Sequence, residues 1–148
     1  MIYTVNINRI KKQVSCLNTC IVVLKQLQEK PINGLVYSFA IARALHISVE
    51  CVLDIGSVII DGFIMRDPGG YTDIINILED EAVISGYPEL IRLVEFREKL
   101  VRGYDELQQE EMILFLKNID VLERFIESVT SYLKRNYGKE GVACESVV

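Results

Sequence analysis

The sequence predicts an all-α protein, an up-and-down bundle of about five helices, three of them long and two short. Over most of the chain, apolar residues recur at alternating intervals of three and four, which is the spacing of one face of a helix. Proline and glycine lie mainly in short breaks between these stretches. With 148 residues, 50% of them hydrophobic, the chain suffices for one domain around a single core, which we place at residues 1–137.

The first predicted helix runs from Ile7 to Lys30. Asn8 or Asn6 can cap its start, and residues 31–34, which contain proline and glycine, end it. Six apolar residues form its inward stripe: Ile10, Val14, Leu17, Ile21, Leu24 and Leu27.

The second predicted helix runs from about Leu35 to Phe63 and is apolar around most of its circumference. We therefore place it at the centre of the bundle, buried on more than one side. The residues predicted to point inward are Phe39, Ala42, Leu45, Val49, Val52 and Ile55 or Ile59.

Two shorter helices follow the break at residues 66–70. One runs roughly from Thr72 to Ala82 and packs through Ile74, Ile75 and Leu78. The other has Pro88 in its first turn and ends near Gly103, which we place in the left-handed C′ position. Its predicted inward residues are Leu90, Leu93, Phe96 and Leu100.

The last predicted helix is a single long one, from about Gln108 to Tyr137. Its inward stripe is Met112, Leu116, Ile119, Leu122, Ile126, Val129 and Leu133. Residues 138–148 have neither apolar period nor charge pattern, so we expect a disordered tail.

Composition narrows the classes of function. The net charge of −5 opposes a general nucleic-acid coat, so any RNA surface must be a local basic patch. The apolar region at residues 32–65 is interrupted by charged side chains, which favours a buried helix over a membrane span. The first residues lack the pattern of a signal peptide, and a cytoplasmic location is expected.

The four cysteines form no CxxC pair. Cys16 and Cys20 share a helix face and could bind a metal together with His46, but free cysteine is usually a small buried hydrophobe. We favour core packing for these thiols and expect neither a metal nor a cofactor.

A basic cluster lies toward the end of the fourth helix, in the stretch FREKLVRGY. Positive charge there is favoured by the helix dipole, which by itself explains a solvated helix end. The order of the residues adds a second interpretation: Arg97, four residues, Arg102, one residue and Tyr104 resemble the Arg-x4-His-x-Tyr signature of the HepT-like toxins, in the HEPN superfamily of helical ribonucleases.

The resemblance extends over about residues 7–136. The stretch RALHISVECVLDIGSVII looks like the second helix of that family, and YTDIINILEDEAVIS is similar to its next helix. Two positions depart from the family pattern: Glu98 stands where the family has asparagine, and Arg102 where it has histidine.

The resemblance implies the toxin component of a type VII toxin–antitoxin system with a HEPN-like fold, which cleaves RNA without a metal by attack of a ribose 2′-hydroxyl on the adjacent phosphate. It also implies a homodimer in which Arg97 and Arg102 of both protomers line one cleft. The implied partner is a minimal nucleotidyltransferase antitoxin, which would add AMP to Tyr104. The alternative for Tyr104 is an aromatic residue that covers the end of the bundle.

Such a reaction needs a base for the 2′-proton and a fixed cation for the phosphorane charge. Arg97 suits the second role because its planar fork can hold two phosphate oxygens. Arg102 can bind phosphate but stays protonated, so it cannot replace the histidine. A site that holds RNA but cleaves poorly or not at all is expected.

The sequence contains other candidates for the missing base. We interpret His46 as a structural residue of the second helix, and Glu98 is a weak base because it lies among arginines. Glu50 and Asp54 share a helix face, and a role as carboxylate partners of Arg97 or Arg102 is favoured over acid–base or metal chemistry.

The sequence is compatible with two further functions. One is a non-catalytic HEPN subunit that serves a nucleotidyltransferase as its binding partner, which the arginine at position 102 favours. The other is a helical bundle without a ligand, which would require that intramolecular carboxylates occupy the basic cluster.

Overall fold

The computed structural model describes residues 4–29 and 34–136, which contain six α-helices joined by turns and loops. They are α1 (Ile7–Glu29), α2 (Leu35–Gly62), α3 (Tyr71–Asp80), α4 (Pro88–Val101), α5 (Gln109–Leu116) and α6 (Asp120–Asn136). A 3-10 turn, Tyr104–Glu106, lies between α4 and α5. Since no strand occurs in these ranges, the all-α prediction is confirmed. Tyr137 and the predicted tail at 138–148 lie outside the described residues.

Helix α2 is the centre of the bundle and packs against α1, α3, α4 and α5. Gly56 permits the close approach of α3, because a Cβ atom at this position would lie 2.6 Å from Cγ2 of Ile74. Helix α1 is capped by Asn6 rather than Asn8: the Asn6 Oδ1 atom accepts a hydrogen bond from the backbone N–H of Arg9 at 3.0 Å. Among the described helices, none is both long enough and apolar enough to cross a bilayer.

The prediction that Phe39 points inward is wrong. Its side chain is 74% exposed, and the neighbouring Leu35 and Val36 are exposed as well, whereas Tyr37 and Ile41 turn toward the core. The reason is that the start of α2 is apolar on all sides, so its period does not indicate which face is buried. The later predicted positions of α2 are correct, since Leu45, Val49, Val52, Ile55 and Ile59 are buried.

The last predicted helix is in fact two helices, with a turn at residues 117–119 between α5 and α6. The apolar stripe continues across this turn, since Leu116, Ile119 and Leu122 are all buried. The apolar period of the sequence therefore gives no sign of the turn. A tertiary contact helps to end α5: the side-chain amide of Gln28, on α1, donates to the carbonyl oxygen of Leu116 at 2.8 Å. This bond satisfies a carbonyl group that the end of α5 leaves without a helical partner.

Gly103 does not adopt the predicted left-handed conformation, because its φ angle is −97°. Instead the chain passes directly from α4 into the 3-10 turn, where the backbone N–H of Glu106 donates to the Gly103 carbonyl at 3.0 Å. A Cβ atom at Gly103 would lie 3.2 Å from Cγ of Lys99, so the close packing on α4 favours glycine here. Left-handed residues follow α2 and α3 instead, at Ile64 and Ala82.

An ion pair joins the loop after α2 to the first turn of α3. The Arg66 guanidinium donates to both carboxylate oxygens of Asp73, at 2.7 and 2.8 Å, and the backbone N–H of Gly69 donates to the same carboxylate at 2.8 Å. The bonds from Arg66, and to a smaller extent the bond from Gly69, hold the pKa of Asp73 well below its ordinary range.

We therefore expect Asp73→Asn to lower the melting temperature at neutral pH. The stabilisation belongs to the ionised carboxylate, so it is fully present above the pKa of an unfolded aspartate, about 3.9, and is lost as the pH falls toward the lower folded-state pKa. The difference between wild type and variant should be constant above about pH 5 and shrink below about pH 4. Thermal unfolding followed by circular dichroism measures it, and a difference that does not change with pH would contradict the assignment.

Candidate functional site

Arg97 is held between three helices. From α4, its Nε atom donates to Oε1 of Glu50 on α2 at 2.5 Å, and its Cζ atom lies 4.3 Å from the ring centroid of Tyr71 at the start of α3. The side chain is only 18% exposed. The bond to Glu50 raises the pKa of the Arg97 guanidinium above its ordinary value, so the group is a fixed and permanent cation.

His46 lies one helical turn before Glu50 on α2. Its Nε2 atom is 3.6 Å from the same Oε1 atom of Glu50 that accepts the bond from Arg97, and its side chain is 27% exposed. One carboxylate oxygen therefore lies between the imidazole and the guanidinium. We call these three side chains the Arg97–Glu50–His46 cluster.

The two carboxylates on this face of α2 have different partners. Glu50 binds Arg97, which confirms its predicted role as a carboxylate partner. Asp54, one turn further on, accepts a bond of 2.6 Å from a terminal nitrogen of Arg9 on α1. Because each carboxylate binds its own cation from another helix, the two do not form a joint acid–base pair.

Arg102 occupies a different environment from Arg97. Arg102 is five positions after Arg97 and directly follows the last residue of α4, and on a helix this spacing rotates the side chains by about 140°. Arg102 is 78% exposed, and its Nε atom lies 3.6 Å from Oε1 of Glu98, which is itself 72% exposed. It lines an open depression of the surface together with Arg92. A pair this exposed contributes little to stability, so Arg102 is available to a ligand.

Tyr104 lies in the 3-10 turn after α4 and is 69% exposed. It lines a cavity of about 440 Å³ between the start of α2, the end of α4 and the start of α5. His46 lines the same cavity, as do Phe39 and Arg43. Tyr104 and His46, one member of the Arg97–Glu50–His46 cluster, therefore line the same cavity.

The cation Lys99 has a structural role. Its Nζ atom donates to Oε1 of Glu111 at 2.5 Å, which lowers the pKa of that carboxyl group and ties α4 to α5. The other oxygen of Glu111 accepts the backbone N–H of Gln108 at 3.1 Å and completes a capping box at the start of α5.

Core packing, predicted for the cysteines, is confirmed for Cys20 and Cys51 but is wrong for Cys16. Cys20 and Cys51 are buried, and burial raises the pKa of both thiols, so they stay protonated. Cys16 is exposed, and Cys144 lies outside the described residues. Within residues 4–29 and 34–136, no group of three or more histidine, cysteine or acidic side chains converges in a way that could hold a metal ion.

The sequence did not single out Tyr71, whose ring covers the Arg97 guanidinium. The one feature of the sequence that could have indicated Tyr71 is its position directly after the Gly69-Gly70 break, at the first residue of α3. The link from His46 through Glu50 to Arg97 was also missed, since it joins residues on two helices that are far apart in the sequence.

The fold and the motif residues together define a class of protein. The family model described as "Ribonuclease HepT-like" matches residues 17–129, and the chain belongs to this family, as its resemblance predicted. The fold is accordingly that of the HEPN superfamily.

Among particular proteins, the chain is similar to one from Bacillus subtilis (strain 168) named Putative RNase YutE, with 40% identity over 102 residues, which are 67% of this chain and 71% of that protein. The solved structure of YutE from Bacillus subtilis, described as a cytosolic protein of unknown function, superposes with a TM-score of 0.84 at 32% identity. The match covers 96% of this chain and 99% of that one.

Proposed function

We propose that this chain is the toxin component of a type VII toxin–antitoxin pair and acts as a slow, metal-independent endoribonuclease. The observation that carries the proposal is the fixed position of Arg97, clamped by Glu50 and Tyr71 in a chain of the HepT-like family. The name of its relative, Putative RNase YutE, agrees with action on RNA.

Arg97 is suited to hold the phosphate at which RNA is cut. Its bond to Glu50 uses Nε, and within the described residues no side chain accepts a bond from its two terminal nitrogens. These nitrogens can donate to two phosphate oxygens at once. Because the guanidinium is already held in place, little reorganisation is needed when charge develops on the phosphorane.

The slow rate of RNA cleavage follows from the arginine at position 102. Arg102 is exposed and can add a second cation for the phosphate, but its guanidinium cannot accept the 2′-proton. The motif position therefore contributes to binding and not to proton transfer.

A homodimer would bring the two predicted arginines into one cleft. Within one protomer Arg97 faces α2 and α3, whereas Arg102 lines the open depression, so a shared cleft requires Arg102 from a second copy. Four guanidinium groups would then meet in a protein whose net charge is −5, and this would provide the local basic surface that RNA needs.

The proposed partner is a minimal nucleotidyltransferase antitoxin that adds AMP to Tyr104. The exposure of the Tyr104 side chain, 69%, fits a hydroxyl that a second enzyme must reach. An AMP group on this residue would also lie at the mouth of the cavity that His46 lines, and so would block the site.

A second candidate is a non-catalytic HEPN subunit that binds RNA or a nucleotide and serves the nucleotidyltransferase. The bond between Glu50 and Arg97 favours it, because the carboxylate offsets the charge of Arg97 in the free chain. Phosphate binding without cleavage would be its signature.

We expect Arg102→His to increase the rate of RNA cleavage. A positioned general base contributes about 10²- to 10⁴-fold, so restoring imidazole at the motif position should accelerate cleavage at least about tenfold. The measurement is the initial rate on single-stranded RNA in the presence of a chelator. Arg135→His, which adds an imidazole at the exposed end of α6, serves as the matched control and should cleave at the wild-type rate.

The outcomes of this experiment separate the candidates. Binding of RNA by all variants without cleavage would favour the non-catalytic subunit. A chain that neither binds nor cleaves RNA in any variant would contradict both.

A further inference from the structure

We infer that His46 is the general base of this site and takes the proton of the ribose 2′-hydroxyl that position 102 cannot accept. The inference rests on the proposed function and names a catalytic residue for it outside the Arg-x4-His-x-Tyr motif. His46 is the single histidine of the chain.

The first support is the spacing of the cluster. The Nε2 atom of His46 and the Nε atom of Arg97 are 3.6 and 2.5 Å from the same Glu50 oxygen, so they lie at most about 6 Å apart. A general base must be within about 3 Å of the proton that it takes, and the attacking oxygen must be about 3–3.5 Å from the phosphorus. A ribose and its 3′-phosphate can therefore bridge the imidazole and the guanidinium.

The second support is the hydrogen bonding of the imidazole. The distance of 3.6 Å to Glu50 is too long for a hydrogen bond. Across residues 4–29 and 34–136, neither ring nitrogen of His46 has a closer polar partner.

The third support is access. His46 is 27% exposed and forms part of the wall of the 440 Å³ cavity, a volume in the range of about 300–1,000 Å³ that small ligands occupy. Phe39 and Tyr104 offer exposed aromatic faces at this cavity, on which a nucleobase can stack. Arg43, on the same wall, adds a positive charge for the phosphate backbone.

Glu50 is a positioning residue in this arrangement. Its Oε1 atom lies 3.6 Å from Nε2 of His46, so its negative charge is close to the imidazole that takes the proton. The same oxygen fixes Arg97, so one side chain sets the distance between the base and the phosphate cation.

The proposed step needs no reactant other than RNA and water. The 2′-O–H bond breaks and its proton passes to His46, while the 2′-oxygen forms a bond to phosphorus. The bond between phosphorus and the 5′-oxygen then breaks, and this oxygen takes a proton from water. His46 returns its proton to solvent, and the products carry a 2′,3′-cyclic phosphate and a 5′-hydroxyl.

The test compares His46→Ala and His46→Gln with wild type in the full-length chain, on single-stranded RNA in chelator. Loss of a general base should lower kcat by about 10²- to 10⁴-fold, with little change in KM because phosphate binding by Arg97 is retained. Added imidazole should restore cleavage by His46→Ala but not by Arg97→Ala. Asp61→Asn, at an exposed position further along α2, is the matched control and should leave kcat unchanged.

The failure of this inference can be told from the failure of the proposed function. Cleavage that His46→Gln retains and Arg97→Ala loses would overturn the role of His46 alone. A His46→Ala variant that is folded and inactive, yet is not rescued by imidazole, would also overturn it. Absence of cleavage by wild type would overturn both.

Discussion

Arg97→Ala should reduce kcat for RNA cleavage by about 10²- to 10³-fold, the usual effect of removing one electrostatic stabiliser of a transition state. The variant loses the cation that holds the phosphorane, and it also leaves the Glu50 carboxylate without its bond, so a negative charge then faces the phosphate. Initial rates on single-stranded RNA in chelator measure this effect.

Two further variants make the result specific. Arg97→Lys keeps the charge but loses the planar fork and its stacking on Tyr71, so its rate should lie between those of wild type and Arg97→Ala. Arg135→Ala removes an exposed arginine from the end of α6 and should cleave like wild type. A folded Arg97→Ala variant with the wild-type rate would exclude Arg97 from the site.

Phe125→Ala should lower the free energy of unfolding by about 3–5 kcal/mol, as expected for truncation of a buried phenylalanine. Phe125 lies in the middle of α6 and is fully buried, one of the largest side chains in the core to be so. Since domains of this size are stable by only about 5–15 kcal/mol, the loss would be a large share of the total. Denaturant unfolding followed by circular dichroism measures it.

Leu114→Ala is the matched control for this measurement. Leu114 is a large apolar residue of α5 but is 60% exposed, so its truncation should change the free energy of unfolding by no more than about 0.5 kcal/mol. Equal losses in the two variants would contradict the arrangement of α5 and α6 described above.

The helical period accounts for most of the fold, and its errors have physical causes. The sequence predicts Phe39 in the core, and the prediction fails because a helix that is apolar all round has no preferred face in the sequence. The break between α5 and α6 was missed because the stripe continues through it and because a contact from Gln28, on another helix, helps to end α5. Phe125 was left out of the predicted stripe although the buried face of α6 is wide enough to include it.

The site was predictable only in part. The order of Arg97, Arg102 and Tyr104 along the chain points to the family. What the sequence could not provide is the pairing across helices: Glu50 and Arg97 are 47 residues apart, and only the packing of α4 on α2 brings them together. The same packing changes the interpretation of His46, which sequence position alone presents as an ordinary residue in the middle of a helix.

The most direct test of the account is the chemistry of the RNA ends. If the 2′-hydroxyl of the substrate is the nucleophile, cleavage in chelator by the wild-type chain should leave 2′,3′-cyclic phosphate and 5′-hydroxyl ends, which mass spectrometry of a defined oligoribonucleotide identifies. With Arg97→Ala the same products should form about 10²- to 10³-fold more slowly. Fragments with 5′-phosphate and 3′-hydroxyl ends would instead show that water attacks the phosphate, and would contradict the mechanism proposed for the Arg97–Glu50–His46 cluster.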